Sequence, residues 1–500
     1  MTEIGVLATV LLLLGAAEGR ITALHEKKGG DERELRARTA ADPTTYCDAP
    51  VAKGQVTFPE SLAGRTTQNF DMFSGYVNVT EQDWLFYWFF EADNKTTDGG
   101  DDVPLIVWTN GGPGCSAMEG ATTENGPLVL YRIKESYDLA TGQLSNNPYA
   151  WNTKGHVLYV DQPKYVGNSF GYGEACHSSE EAGEDIVTFL QGWYSLFPQH
   201  ADRKLVISGE SYGGHYIPAW ANAILDHNEA VDAKKEEQQQ QRTIPMAGVV
   251  IGNGCVNDTV QNSARYVEFL NANDLLPADP SFEPTTTAAA DVMMAKHIGY
   301  SPNFYDYRVR NVQCGACYSY NYTEWSYWFL KQEVMDALHI CGDAGYAAFA
   351  GNAGGCISMP GFDSGDEFDY SGALGRALDA GVDVLLLYGK NDLACNHVGA
   401  HAMAATIPWS GKDGFAAAPV VDGTPCAGCQ AQSYQPPPGN ASSRVADRDR
   451  SNRNGEQQQQ LQEQQAGKLI WVQVDAAGHM VPLDEPAAAA QALQMLLDEI

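Results

Sequence analysis

The sequence is poor in positive charge. Its 500 residues carry 31 Lys and Arg against 63 Asp and Glu, a net charge of −32. No basic face is left to neutralise phosphates, which excludes a nucleic-acid partner. The balance suits a protein that stays soluble in a mildly acidic compartment, where much of that charge is titrated away. Long apolar runs are also lacking. The main one, Val6 to Leu14, is too short to cross a bilayer, so no stable membrane anchor is expected. Its length fits the apolar region of a signal peptide, although Met1 to Ile4 lacks the usual positive charge. Residues 1–19 are assigned to that peptide and 20–45 to an N-terminal segment open to processing.

Cysteine is not scarce. Eleven are present, which fits an oxidising compartment and leaves one thiol over. Cys314-Gly-Ala-Cys317 and Cys426-Ala-Gly-Cys429 have a spacing that can hold zinc, but the pairs lie far apart and disulfides are the expectation in a secretory context. No metal or cofactor is called for, and sequence alone does not fix the pairing. Five sequons, at Asn78, Asn94, Asn257, Asn321 and Asn440, agree with passage through the secretory pathway, with a vacuolar, lysosomal or extracellular destination.

The chemistry starts at Leu205-Val-Ile-Ser-Gly-Glu-Ser-Tyr-Gly-Gly214, an apolar strand running into G-x-S-x-G. Glycines on both sides of Ser211 allow the sharp strand-to-helix turn that lifts its hydroxyl clear of the sheet. A hydroxyl needs a base and an orienting acid to become a nucleophile. Asp392 and His479 follow in the Ser, Asp, His order of α/β-hydrolases. His479 would take the Ser211 proton, and Asp392 would fix the imidazole tautomer. The oxyanion needs two backbone N–H donors, one from Tyr212 and one from the glycine-rich turn Asn110-Gly-Gly-Pro-Gly114.

Apolar runs at 104–108, 157–160, 205–208, 248–251, 382–387 and 469–474 read as buried parallel strands. Asn110, Asp161, Ser211, Asn253, Asp392 and His479 each lie a few residues beyond one of them, at the sheet edge where such folds bind ligands. Residues 73–93 suggest an antiparallel hairpin. The fold class is thus α/β: a mostly parallel central sheet in 46–255 and 361–500, with a mainly helical cap inserted at 256–360. The glutamine-rich stretches 234–242 and 430–465 read as solvated surface loops, and 485–500 as an amphipathic helix.

Trp108-Thr-Asn-Gly-Gly-Pro-Gly-Cys-Ser-Ala117, Gly209-Glu-Ser-Tyr-Gly-Gly-His-Tyr216, Asn391-Asp-Leu-Ala-Cys-Asn396 and Gly478-His-Met-Val-Pro482 resemble the motif blocks of the serine carboxypeptidases, in order, within a likeness covering about residues 45 to 490. The resemblance implies removal of C-terminal amino acids from peptides and proteins. It also implies oxyanion donors at Gly112 and Tyr212. The substrate's carboxylate would be gripped by Glu124, Glu210, Asn110 and Gly111, with Trp108 packed behind. Two crowded carboxyls cannot both ionise cheaply, so the pair should hold a proton and donate it to that carboxylate, which favours acid pH.

Met118 to Glu124 looks most like the branch that trims C-terminal Lys and Arg. Glu119 stands where that branch has an acid near the leaving residue, with a solvated helix-turn glutamate as the alternative. Cys395 and Met480 are further pocket candidates by position. Cys395 matches an unpaired thiol of some members, and Cys115 matches a bridging cysteine whose partner would be Cys356. Two segments depart from the family: Gly389-Lys390-Asn391 before Asp392, and Lys164 to Tyr172 after Asp161-Gln-Pro163. Rival readings are an acyltransferase using the same triad, a partner-stabilising protein and a general carboxylesterase. Dimerisation is left open.

Overall fold

A computed structural model describes residues 50–93, 103–233, 241–309, 323–341, 356–437 and 465–500, apart from 64, 65, 67, 68, 134–137, 263, 278–283, 285, 360 and 363–365. Residues 1–49, the sequons at Asn94, Asn321 and Asn440, the Cys314–Cys317 pair and most of both glutamine-rich stretches lie outside the described residues.

The strands are β1 (Gly54–Gln55), β2 (Met72–Asn78), β3 (Asp83–Phe90), β4 (Leu105–Thr109), β5 (Leu128–Ile133), β6 (Asp138–Asn146) and β7 (His156–Val160). Then come β8 (Phe170–Gly171), β9 (Leu205–Glu210), β10 (Met246–Gly252), β11 (Asp383–Gly389), β12 (Val421–Asp422), β13 (Cys429–Tyr434) and β14 (Leu469–Val474). A 12-stranded sheet runs β1-β2-β3-β7-β4-β9-β10-β11-β14-β13-β12, with β8 on β3, and β5 and β6 form a separate ribbon. The stretch from β7 to β14 is parallel, and both flanks are antiparallel. Each expected strand and the hairpin at β2–β3 are present.

Strands buried on both faces explain the unbroken apolar runs. Side chains still alternate. Val206, Val250, Leu385 and Ile470 face one apolar cluster, while Leu205, Ile207, Val249 and Leu386 face the other. Helix Pro486–Leu497 covers the first through Leu493 and Leu496. Helices Ser179–Leu196 and Gly213–Ala233 cover the second through Phe189, Trp193, Ile217 and Trp220.

Between β10 and β11 the described residues carry helices such as Ala264–Ala272, Thr287–Ile298 and Thr323–Phe329. Tyr266, Phe269, Leu270 and Met294 form a small apolar cluster there, joined by Leu393 next to Asp392. One expectation needs correction at its edge: Gln430–Tyr434 are not loop but part of β13, paired antiparallel with β14 from Cys429↔Val474 to Tyr434↔Leu469. The polar alternation of Gln430, Gln432 and Ser433 hid a strand that uses backbone pairing more than apolar packing. Among the described residues, no helix is long and apolar enough to cross a membrane.

Candidate active site

Parallel register brings the strand ends together. Thr109 pairs with Gly209, Gly252 with Glu210 and Leu387, and Gly389 with Val474. The segments that follow therefore meet on one rim. Ser211 sits between β9 and helix Gly213–Ala233 with a left-handed φ of 60°. Its N–H donates to the Gly252 carbonyl at 3.0 Å, and its carbonyl accepts from Gly214 N–H (2.9 Å) and Cys255 N–H (3.1 Å). Strain at a non-glycine residue here is the mark of a strand-to-helix nucleophile turn.

His479 Nδ1 lies 2.7 Å from Asp392 Oδ2, and both residues are buried. Asp392 also accepts from Asn253 Nδ2 (2.8 Å), Ala394 N–H (2.8 Å) and Cys395 N–H (3.1 Å). A carboxylate so supplied with donors assigns the proton to Nδ1 and leaves Nε2 as an acceptor. His479 Nε2 is buried and makes no hydrogen bond among the described residues. The Lys390-Asn391 departure is accommodated: Asn391 Nδ2 donates to the carbonyls of Asp475 (2.8 Å) and Ala477 (2.9 Å), tying the acid loop to the His479 loop.

Beside the elbow, Asn110 Nδ2 donates to Glu124 Oε1 and to Glu210 Oε1, both at 3.1 Å. Its Oδ1 accepts from Trp108 Nε1 (2.9 Å) and Gly120 N–H (3.0 Å), so the amide is held in one orientation. Glu124 and Glu210 are buried at 2% and 4% exposure. Burial pushes Glu124 up to about 7, with Glu210 and Asn110 as hydrogen-bond partners working the other way. Burial, then the charges of Glu124 and Glu119, hold Glu210 well above the ordinary carboxylate range. The pair keeps a proton through mildly acid pH.

The glycine-rich turn lies against the elbow: a Cβ on Gly111 would sit 2.4 Å from Tyr212 N and 2.6 Å from the Glu210 carbonyl oxygen. Gly112 has φ +115°, a conformation open to glycine. Glu119 is only 6% exposed, which overturns the solvated alternative; its carboxylate stands within 4.8 Å of the sulfurs of Cys115 and Cys356. Those two cysteines form a disulfide, as the resemblance implied.

Three expectations are corrected. Cys395 is not a free thiol but is bonded to Cys255; the two follow adjacent strands, which brings their Cα atoms to 5.4 Å. Among the described residues the free cysteine is Cys176, which is buried. Asn257 is not an exposed glycan acceptor: it is 6% exposed and its side chain accepts from Val260 N–H at 3.0 Å, capping a short helix. Asn78, by contrast, is exposed. Met480 is fully buried in the apolar cluster with Met118 and Val481, so it is core packing.

Other neighbours were not foreseen. Tyr305 stacks on the His479 ring at 4.1 Å and 21°, and its carbonyl accepts from His479 N–H at 2.6 Å. Asn253, read only as a strand-end residue, bridges Asp392 and Gly389 N–H (2.9 Å). Asp366 gathers donors behind the elbow: the Tyr212 hydroxyl, Ser179 N–H and Oγ (2.8 Å each) and the Tyr370 hydroxyl (2.7 Å), with His215 Nδ1 at 3.1 Å. Burial works to raise that carboxyl, but these partners outweigh it and hold it at about 2. Asp161, which accepts from Ser116 Oγ, Ala117 N–H and Asn168 N–H, anchors the divergent loop after β7.

The sheet and its rim define an α/β-hydrolase. A model of the family described as serine carboxypeptidase matches residues 59–292 and 291–499, and the chain belongs to that family. It is 28% identical over 452 residues to carboxypeptidase Y homolog A of Uncinocarpus reesii, across 84% of this chain and 72% of the relative. It is 29% identical over 462 residues to pheromone-processing carboxypeptidase KEX1 of Paracoccidioides brasiliensis, across 85% of this chain and 65% of that relative, just under two thirds of its length. The crystal structure of Kex1Δp, a prohormone-processing carboxypeptidase from Saccharomyces cerevisiae, shares the fold with a TM-score of 0.60 at 23% identity, covering 89% of this chain and 95% of that one. The protein is a serine-type carboxypeptidase, and these relatives do not favour the acyltransferase reading.

Proposed function

We propose that Ser211 attacks the last peptide bond of a peptide or protein while His479 takes its proton, Asp392 orienting the imidazole. The N–H groups of Gly112 and Tyr212 receive the oxyanion. The leaving amino acid is protonated by His479, and water then resolves the acyl-enzyme by the same route in reverse. The observation that carries the exopeptidase reading is the buried Glu124–Glu210 pair on Asn110, set one residue before the nucleophile. Its shared proton meets the substrate's free carboxylate. As pH rises the pair loses its protons, and once both carboxyls are ionised three negative charges converge, so binding weakens. Glu119, buried beside this pair, supplies an acid for a C-terminal Lys or Arg side chain. The expected preference for acid pH and the cysteine content fit an enzyme of the secretory pathway.

The test is release of the terminal residue from N-blocked dipeptides ending in Lys, Arg, Leu or Phe at pH 5, with Ser211→Ala alongside. Release abolished by Ser211→Ala, and faster for Lys and Arg, is the expected result. Undiminished release by Ser211→Ala would remove the nucleophile.

A further inference from the structure

Two loops hold the catalytic groups from outside, and one covalent bond joins them. The β10 loop touches the nucleophile twice: the Gly252 carbonyl accepts from Ser211 N–H at 3.0 Å, and Cys255 N–H donates to the Ser211 carbonyl at 3.1 Å. The β11 loop cradles the acid: Ala394 N–H and Cys395 N–H donate to Asp392 at 2.8 and 3.1 Å. Cys255 and Cys395 are bonded to each other, across 140 residues of sequence. Each bridged residue is therefore also a hydrogen-bond donor to a member of the triad.

The surroundings leave little slack. A Cβ on Gly214, at the start of the elbow helix, would lie 2.4 Å from the Cys255 carbonyl oxygen. Gln261 Nε2 donates to the Gly254 carbonyl (2.9 Å), and its Oε1 accepts from Val256 N–H (2.6 Å) and Asn257 N–H (2.9 Å). On the other side, Asn396 Nδ2 donates to the Gln261 carbonyl at 3.3 Å and Asn396 Oδ1 caps the next helix. The disulfide is thus embedded in a hydrogen-bonded seam between the two loops.

We propose that the Cys255–Cys395 disulfide is a positioning brace that fixes the Ser211 turn relative to Asp392, and through Asp392 the imidazole of His479. The proposal rests on the catalytic roles given above. Proton transfer along a triad tolerates little misplacement: a shift of about 1 Å from a change away from the chemistry costs on the order of 100-fold in rate. A disulfide that only stabilised the fold would act by constraining the unfolded chain and would leave the rate constant alone.

The first arm is peptide mapping of the native protein after alkylation without reduction. It should give the Cys255–Cys395 cross-linked peptide; an alkylated Cys395 overturns the proposal. The second compares Cys255→Ala/Cys395→Ala with the parent. We expect kcat lower by roughly 10- to 100-fold, KM within about twofold, and fluorophosphonate labelling of Ser211 slowed in proportion. A folded double variant with parental kcat and labelling overturns the brace, whatever its melting temperature.

A third arm does not need the variant to fold. Dithiothreitol reduces the bond to two thiols and leaves as its cyclic disulfide, and graded treatment followed by alkylation and mapping gives the fraction opened. Activity should fall in step with the Cys255–Cys395 fraction; activity independent of it, or tracking Cys115–Cys356, contradicts the proposal. Ser211→Ala in the parent separates the two levels. If that variant keeps its activity, the catalytic reading fails; if it is inactive while the opened bond costs nothing, the brace alone fails.

Discussion

Two buried acid sites flank Ser211, one residue away on either side, and they have opposite electrostatics. Behind Tyr212, Asp366 is surrounded by hydroxyl, amide and imidazole partners and is held at about 2. At Glu210, two carboxyls share Asn110 as their amide donor, and both are pushed upward. Burial acts upward at both sites; at Asp366 the hydrogen-bond partners outweigh it, and at the pair they do not. The donor-rich site is a fixed anion that braces the elbow, and the donor-poor site stores a proton for a carboxylate that arrives with the substrate. Asp392 likewise accepts from Asn253, Ala394 and Cys395 and lies against His479 Nδ1.

That contrast can be broken from either side. The largest effect belongs to Asp392→Asn, which cannot hold the imidazole in its tautomer. A kcat loss on the order of 10⁴-fold is expected in steady-state assays with the fold intact. Next is Asp366→Asn. Stranding buried donors should cost about 1–3 kcal/mol in urea unfolding near pH 6. Because the folded-state value is depressed, the parent's advantage is present above the ordinary aspartate range and shrinks as pH falls toward about 2. A penalty that stayed constant with pH would show that Asp366 is not the anion described.

On the donor-poor side, Glu210→Gln replaces the stored proton by an amide donor that does not titrate. Its KM for free-acid peptides should rise less between pH 6 and 8 than the parent's, because one of the two ionisations that oppose the substrate's carboxylate is removed. The raised values also imply that parent stability falls as pH rises from 4.5 through about 7, since the folded state keeps a proton the unfolded chain has released. The smallest effect is at Glu119. Glu119→Gln should reduce the Lys and Arg preference over Leu by roughly 5- to 10-fold in kcat/KM, the scale of one charge-assisted contact. Equal loss for all four terminal residues would make Glu119 part of the proton pair instead.

The triad residues were legible because each follows a strand whose apolar run is unmistakable, and parallel pairing does the rest; the acid pair was legible through the resemblance of its motifs to the serine carboxypeptidases. What escaped lies in irregular chain. Tyr305 and Asp366 sit in segments with no periodicity to place them, and their contacts exist only after the sequence between β10 and β11 has folded back. The Cys255–Cys395 bond was missed for a different reason. Likeness to relatives suggested a free thiol at Cys395, while the position of both cysteines just beyond neighbouring strands was available and pointed to pairing. Asn257 shows the converse limit: a sequon specifies a local pattern, and here the same asparagine is consumed as a buried helix cap.

The most direct test of the stored proton is the pH dependence of KM from pH 5 to 8 for one peptide as its free acid and as its C-terminal amide. The free acid's KM should hold steady at acid pH and climb as the pair loses its protons toward pH 8, while the amide's stays level. Parallel curves for acid and amide would contradict the account, because the buried pair would then not be reading the substrate's carboxylate.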